Sequence, residues 1–232
     1  MEPIYEESVK KQLGMAFSND ILELGKPYML RFMKLMAYYR CSIMEIETKL
    51  NVLNEEYSLR YDRNPINSIK SRLKSFTSIK NKLDKLEKEL TVSSIEENLN
   101  DVAGVRVICS FTEDVYTIAD ALLNQDDITL VQRKDYIKNP KPNGYRSLHL
   151  IVTVPIFLAK EKKLMKVEIQ LRTISMDSWA SLEHQLRYKK DYDFNEDMAN
   201  ELLRCAELSA ELDKRMDALR EAVNSVSDFD VD

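Results

Sequence analysis

Between Met165 and Arg172 apolar and polar residues alternate without a break. Met165, Val167, Ile169 and Leu171 fall on one side, and Lys166, Glu168, Gln170 and Arg172 on the other. A period of two fits an extended strand with one face in a core, because same-face residues of a helix recur three and four apart. The polar face of this strand carries a carboxylate, an amide and a guanidinium in one row. Alone, such a row reads more readily as a solvated strand surface than as one wall of a site.

The rest of the chain supplies partners for that strand. Short apolar runs at 105–111, 128–134 and 148–154 read as three more strands, the last ended by Pro155, and an amphipathic helix is expected over 113–124. Met29, Phe32, Met36, Tyr39, Ile43, Ile46, Leu50 and Leu53 are spaced three and four apart, which predicts a long helix over about 18–54. Pro65 suits a first helical turn, so a basic helix is expected from there to about residue 90, with seven Lys or Arg between Lys70 and Lys88. A short capped turn of helix is expected at 93–98. From about 175 a helix places Trp179, Leu182 and Leu186 on one side. A last helix over about 196–226 repeats Leu202, Cys205, Ser209, Leu212, Met216, Leu219, Val223 and Val226 on a heptad-like grid. The expected architecture is α+β: a four- to five-stranded sheet flanked by long N- and C-terminal helices, which pack on the sheet or on another subunit.

Charge and cysteine usage narrow the function classes. The net charge is −5, which gives no overall attraction to duplex DNA or an anionic membrane. Locally the balance differs: residues 131–149 hold five basic residues and one acid, whereas 193–232 hold twelve acids and four basic residues. Cys41, Cys109 and Cys205 are odd in number and far apart, which suits neither a disulfide framework nor a zinc site. The opening MEPIYEESVKK lacks the apolar core of a secretory leader, and no run reaches the length of a membrane span. A cytoplasmic protein is expected.

Chemistry-bearing residues gather at four places. Asp101 precedes the strand in DVAGVRV, and together with Glu168 it offers two carboxylates on neighbouring strands, a set that can hold Mg²⁺ against phosphate; alone, an Asp there is more commonly an N-cap or turn residue. Arg106 lies in an otherwise apolar strand, where a guanidinium needs a partner or an opening. In SIKSRLKSFTSIKNKL, Lys74, Ser78 and Lys82 can share one helical face, with Arg72 off it. The loop KDYIKNPKPNGYRSLH supplies Lys134, Lys141 and Arg146 for phosphates, a tight turn at Asn143 and Gly144, and Tyr145 for stacking on a base.

In this order, RLKSFTSIKNK, DVAGVRV, KDYIKNPKPNGYRSLH, VEIQLRT and WASLEHQLRYK resemble the synthetase domain of the RelA/SpoT family, whose members make the alarmones (p)ppGpp. The likeness runs from about 64 to 190 and is similar in kind to the small alarmone synthetases of the RelP type. The chain has no room for the family's hydrolase and regulatory domains, and His149 and His184 are too few for a histidine-rich hydrolase site. The resemblance implies a nucleotidyltransferase-like sheet in a single synthetase domain: a helical extension at 1–62, a catalytic core at 63–190 and a C-terminal helix at 191–232. It implies transfer of pyrophosphate from ATP to the 3′-hydroxyl of GTP or GDP, with AMP released, in a homotetramer.

The resemblance also implies roles. Asp101 would bind Mg²⁺, and Glu168 would bind metal or take the proton of the 3′-hydroxyl. Arg72 and Arg106 would sandwich adenine, with Lys74, Ser78 and Lys82 near the ATP phosphates. Tyr145 would stack on guanine, and Lys134, Lys141, Asn143, Gly144, Arg146, His149 and Gln170 would line the guanine-nucleotide pocket. The segment around Lys134 lacks the arginine that leads the basic motif of longer members, so the choice of GTP or GDP stays open. Asp177 stands where the resemblance suggests an amide near guanine, and His184 reads as packed on its helix. The competing reading is a module that holds guanine nucleotide or single-stranded RNA without turnover.

Overall fold

The structure, a computed structural model, describes residues 26–61, 63–188 and 194–227. In chain order the elements are α1 (Lys26–Tyr61), β1 (Ile66–Leu73), α2 (Phe76–Lys85), α3 (Val92–Asn98), β2 (Ala103–Cys109), α4 (Thr112–Leu123), β3 (Thr129–Asp135), β4 (Leu148–Phe157), β5 (Lys162–Thr173), α5 (Ile174–Tyr188) and α6 (Glu196–Ser227). The strands form one sheet in the order β1-β2-β5-β4-β3. Only β2 and β5 run parallel; every other neighbouring pair is antiparallel. This is the mixed α+β sheet that the alternating patterns predict.

The alternation at β5 buries Met165, Val167, Ile169 and Leu171 on one face, against α1 and α4. The predicted stripe of α1 meets that face: Phe32, Met36, Tyr39, Ile46 and Leu50 are all at most 2% exposed. Each such side chain contributes roughly 1.5–3 kcal/mol by leaving water. The stripe is therefore spent on the sheet. Residues 18–25 of the expected helix lie outside the described residues.

Two elements depart from the sequence pattern. Residues 66–73, expected to open a helix, form the edge strand β1, paired to β2 from Ile66–Cys109 to Leu73–Ala103. An edge strand with mostly exposed side chains has no buried stripe to announce it. The helix starts only at Phe76, where Ser75 caps it by accepting the N–H of Ser78 at 3.2 Å, and Phe76, Ile79 and Leu83 then face the core. Strand β4 passes through Pro155 to Phe157, because β3 stops opposite Thr153 and the proline faces no second ladder there.

The last helix differs from the first. Helix α6 rests on α5 and α4: the Trp179 indole donates to the Leu202 carbonyl at 2.8 Å, and Arg220 joins Arg63 on the fully buried Asp114. Leu202 of its grid packs beside Trp179, but the later large apolar residues turn outward, with Leu219 60% and Val223 66% exposed. Between α5 and α6 a groove of about 830 Å³ is lined by Trp179, Leu182, Leu208, Leu212 and Met216. No helix among the described residues is long and apolar enough to cross a membrane.

Candidate active site

Strand register builds the site. Lys70, Arg106, Gln170, His149 and Lys134 lie opposite one another, forming one row across all five strands, and Arg72, Gly104 and Glu168 occupy the next row. Paired residues point to the same face, and residues two apart share it. The face opposite the core is therefore polar and mostly cationic. A small cavity of about 150 Å³ lies on it, lined by Arg72, Gly104, Arg106, Glu168 and Gln170.

Asp101 sits at the mouth of β2, where the chain from α3 enters the sheet. Lys74 and Lys82 place their ammonium groups 2.7 and 2.8 Å from its two carboxylate oxygens. Burial pushes this carboxyl up, but the hydrogen bonds and charges of the two lysines together outweigh that and hold it below its ordinary value. Oδ1 is buried, and the cation that stands against it is the Lys82 ammonium. Glu168, one strand over, feels the charge of Asp101, which marks the two acids as neighbours. Burial and that like charge raise the Glu168 carboxyl; hydrogen bonds from His149 and Gln170 overcome both and lower it.

A chain of hydrogen bonds starts at Glu168 and comes back to within 3.5 Å of its other carboxylate oxygen. Gln170 Nε2 donates to Glu168 Oε2 at 3.0 Å, and Arg172 donates to Gln170 Oε1 at 2.9 Å and to the Tyr145 hydroxyl at 2.6 Å. That hydroxyl meets His149 Nε2 at 2.8 Å, and His149 Nδ1 returns to Glu168 Oε1 at 3.5 Å. Arginine can only donate, so in the neutral imidazole the Tyr145 proton points to Nε2 and the ring proton to Glu168. Behind this chain of bonds stands Asp177, 6% exposed, which accepts from both Arg106 and Arg172.

The loop before β4 splits into two sets. Tyr145 faces the site, its ring edge-on to Tyr136 and His149, with the Lys141 ammonium 4.9 Å from its centroid. Asn143 accepts the Tyr145 N–H and donates to Glu183, which fixes the turn. Gly144 and Arg146 point the other way. Gly144 is buried at φ 87° under α6, and Arg146 pairs with Asp213 of α6 at 3.3 Å. The glycine that sequence reading gave to a ligand makes room for a helix. Ser78 is exposed in the first turn of α2, Lys134 is exposed on β3, and His184 is exposed on α5. Sequence reading left Asp177 a weak candidate and gave Lys70 and Arg172 no part; the alternation of β5 placed Arg172 on the right face, but Asp177 is separated from Arg106 by 71 residues.

The arrangement suits chemistry on two phosphorylated nucleotides: two coupled carboxylates, a cationic floor and an aromatic hydroxyl held at one end. Comparison with known proteins agrees. The family described as "Region found in RelA / SpoT proteins" matches residues 71–193. GTP pyrophosphokinase YwaC of Bacillus subtilis is 44% identical over 189 residues, which are 82% of this chain and 90% of that protein. The crystal structure of small alarmone synthetase 2 from Bacillus subtilis superposes with a TM-score of 0.75 at 41% identity, over 82% of this chain and 98% of that one. Small alarmone synthetase 1 from Bacillus subtilis, bound to its product pppGpp, gives a TM-score of 0.73 at 34% identity, covering 80% and 94% of the two chains. With a family match over residues 71–193, a similar fold and relatives matched over nearly their whole length, this chain belongs to the RelA/SpoT family.

Proposed function

We infer that this chain is a GTP pyrophosphokinase, a small alarmone synthetase. The 3′-hydroxyl oxygen of GTP or GDP attacks the β-phosphorus of ATP, the bond from that phosphorus to the α,β-bridging oxygen breaks, and AMP leaves. The observation that carries the reading is the pair Asp101 and Glu168. Both are held ionised within reach of each other's charge, and Arg72 and Arg106 stand beside them.

In this reading Arg72 and Arg106 flank adenine, while Lys74, Ser78 and Lys82 meet the ATP phosphates. Tyr145 offers its ring to guanine, with Lys134, Lys141, Asn143, His149 and Gln170 around the same nucleotide. Gly144 and Arg146 act from behind by seating the loop on α6. Asp101 and Glu168 would hold Mg²⁺; two carboxylates, one of them already facing cations, fit an ion that prefers one or two carboxylates plus phosphate oxygens. Bound there, Mg²⁺ supplies neutralisation of phosphate charge. A carboxyl held below its ordinary value is a weak base, which favours metal ligation and orientation of the 3′-hydroxyl as the role of Glu168. The unit of function is 63–190 with its flanking helices. A second copy covers the outward apolar face of α6 in a homotetramer, in the cytoplasm.

Incubation with ATP, GTP and Mg²⁺, followed by anion-exchange chromatography, should give AMP and guanosine pentaphosphate. Asp101→Asn and Glu168→Gln should each abolish both. Wild-type protein that turns over nothing, or that holds RNA in a salt-dependent way indifferent to Asp101, would overturn the assignment.

A further inference from the structure

We propose that Asp177 and Arg172 are positioning residues that couple the ATP and guanine-nucleotide sites, through a carboxylate shared between the arginine serving one and the arginine shaping the other. The proposal rests on the reading of the site given above. Asp177 Oδ1 accepts from Arg106 at 3.1 Å and from Arg172 at 3.2 Å, while Lys70 lies 3.4 Å from Oδ2. Three cations thus crowd one carboxylate whose side chain is 9% exposed. The two guanidinium groups repel each other there. Arg172 is 4% exposed, and its remaining donors hold the Tyr145 hydroxyl and Gln170. Arg172 thus holds the Tyr145 hydroxyl directly and reaches Glu168 through Gln170.

Adenine stacking draws Arg106 off Oδ1. The repulsion then falls, the shared oxygen passes to Arg172 alone, and the tyrosine end of the site stiffens before the guanine nucleotide arrives. ATP therefore tightens the binding of GDP, and by linkage GDP tightens that of ATP by the same factor.

Calorimetric titration of GDP into the full chain tests this, with and without a saturating ATP analogue carrying a methylene bridge between the α- and β-phosphorus. Wild type should bind GDP roughly 5-fold or more tightly with the analogue present. Asp177→Asn should bring that ratio to about 1. Arg172→Lys keeps a charge on Asp177 but cannot fork to Tyr145 and Gln170, so it too should lose the ratio. An unchanged ratio in either variant, or a wild-type ratio of about 1, overturns the coupling. Wild type that binds neither nucleotide overturns the functional reading beneath it.

Discussion

Substituting Gly144 by alanine tests whether the nucleotide loop is held from behind by α6. The backbone there has φ 87°, which an L side chain adopts at a cost of about 1–3 kcal/mol. A Cβ at this position would lie 2.4 Å from the Ala206 Cβ and 3.1 Å from Leu203 Cδ1. The nearer atom sits directly on the helix backbone and cannot rotate away. Overpacking of this kind adds about 1–3 kcal/mol, so Gly144→Ala should lose about 2–6 kcal/mol in urea unfolding. Ala206→Gly alone costs about 1 kcal/mol of helix propensity. Combined with Gly144→Ala it removes the clash but leaves the φ strain, so the double-mutant cycle should return a favourable coupling of about 1–3 kcal/mol. A loss within about 0.5 kcal/mol for Gly144→Ala, the range of an ordinary surface change, or a cycle that closes without coupling, refutes the packing argument.

Three further outcomes follow from the site. Asp101 has its folded value lowered, so its ion pairs stabilise the protein above the ordinary aspartate range, and the contribution fades as pH falls through the folded value; the stability gap between wild type and Asp101→Asn should shrink as denaturant melts are taken from neutral pH to below about pH 4. Tyr145→Phe keeps the ring face and breaks the link from Arg172 to His149; with a charge-assisted hydrogen bond worth about 1.5–3 kcal/mol, kcat should fall about tenfold or more while KM for GDP changes little, and the reverse split would count against the ring. Leu208→Glu and Leu212→Glu on the outward face of α6 should lower the mass seen by sedimentation; an unchanged mass would place the subunit contact elsewhere.

What the sequence disclosed and what it hid have separate physical causes. The β5 alternation and the α1 stripe were legible because each buries one full face, and burial of a face leaves a period in the sequence. Strand β1 was not legible, because an edge strand buries little and its charges are neutralised by residues far along the chain, as Lys70 is by Asp177. Asp101 and Glu168 were readable as a pair because each sits beside a recognisable strand. Gly144 was visible as a special backbone position, yet the sequence holds no sign of which neighbour demands it; ligand and helix pose the same steric requirement.

The buried aspartates extend the same point. Asp114 gathers Arg63 and Arg220 from opposite ends of the chain, and Asp177 gathers Lys70, Arg106 and Arg172. A buried carboxylate that lost its cations would cost several kcal/mol, so each is satisfied only when distant segments have docked. Asp114 has its partners outside the polar face and ties α6 to α4 and to the segment before β1. Asp177 differs in that all three of its partners stand on that face, Lys70 and Arg106 lining the small cavity and Arg172 holding Gln170 and Tyr145. A charge placed to close the fold thus also joins two arginines of the polar face, and a ligand that binds better with one of them displaced would shift the balance at the other.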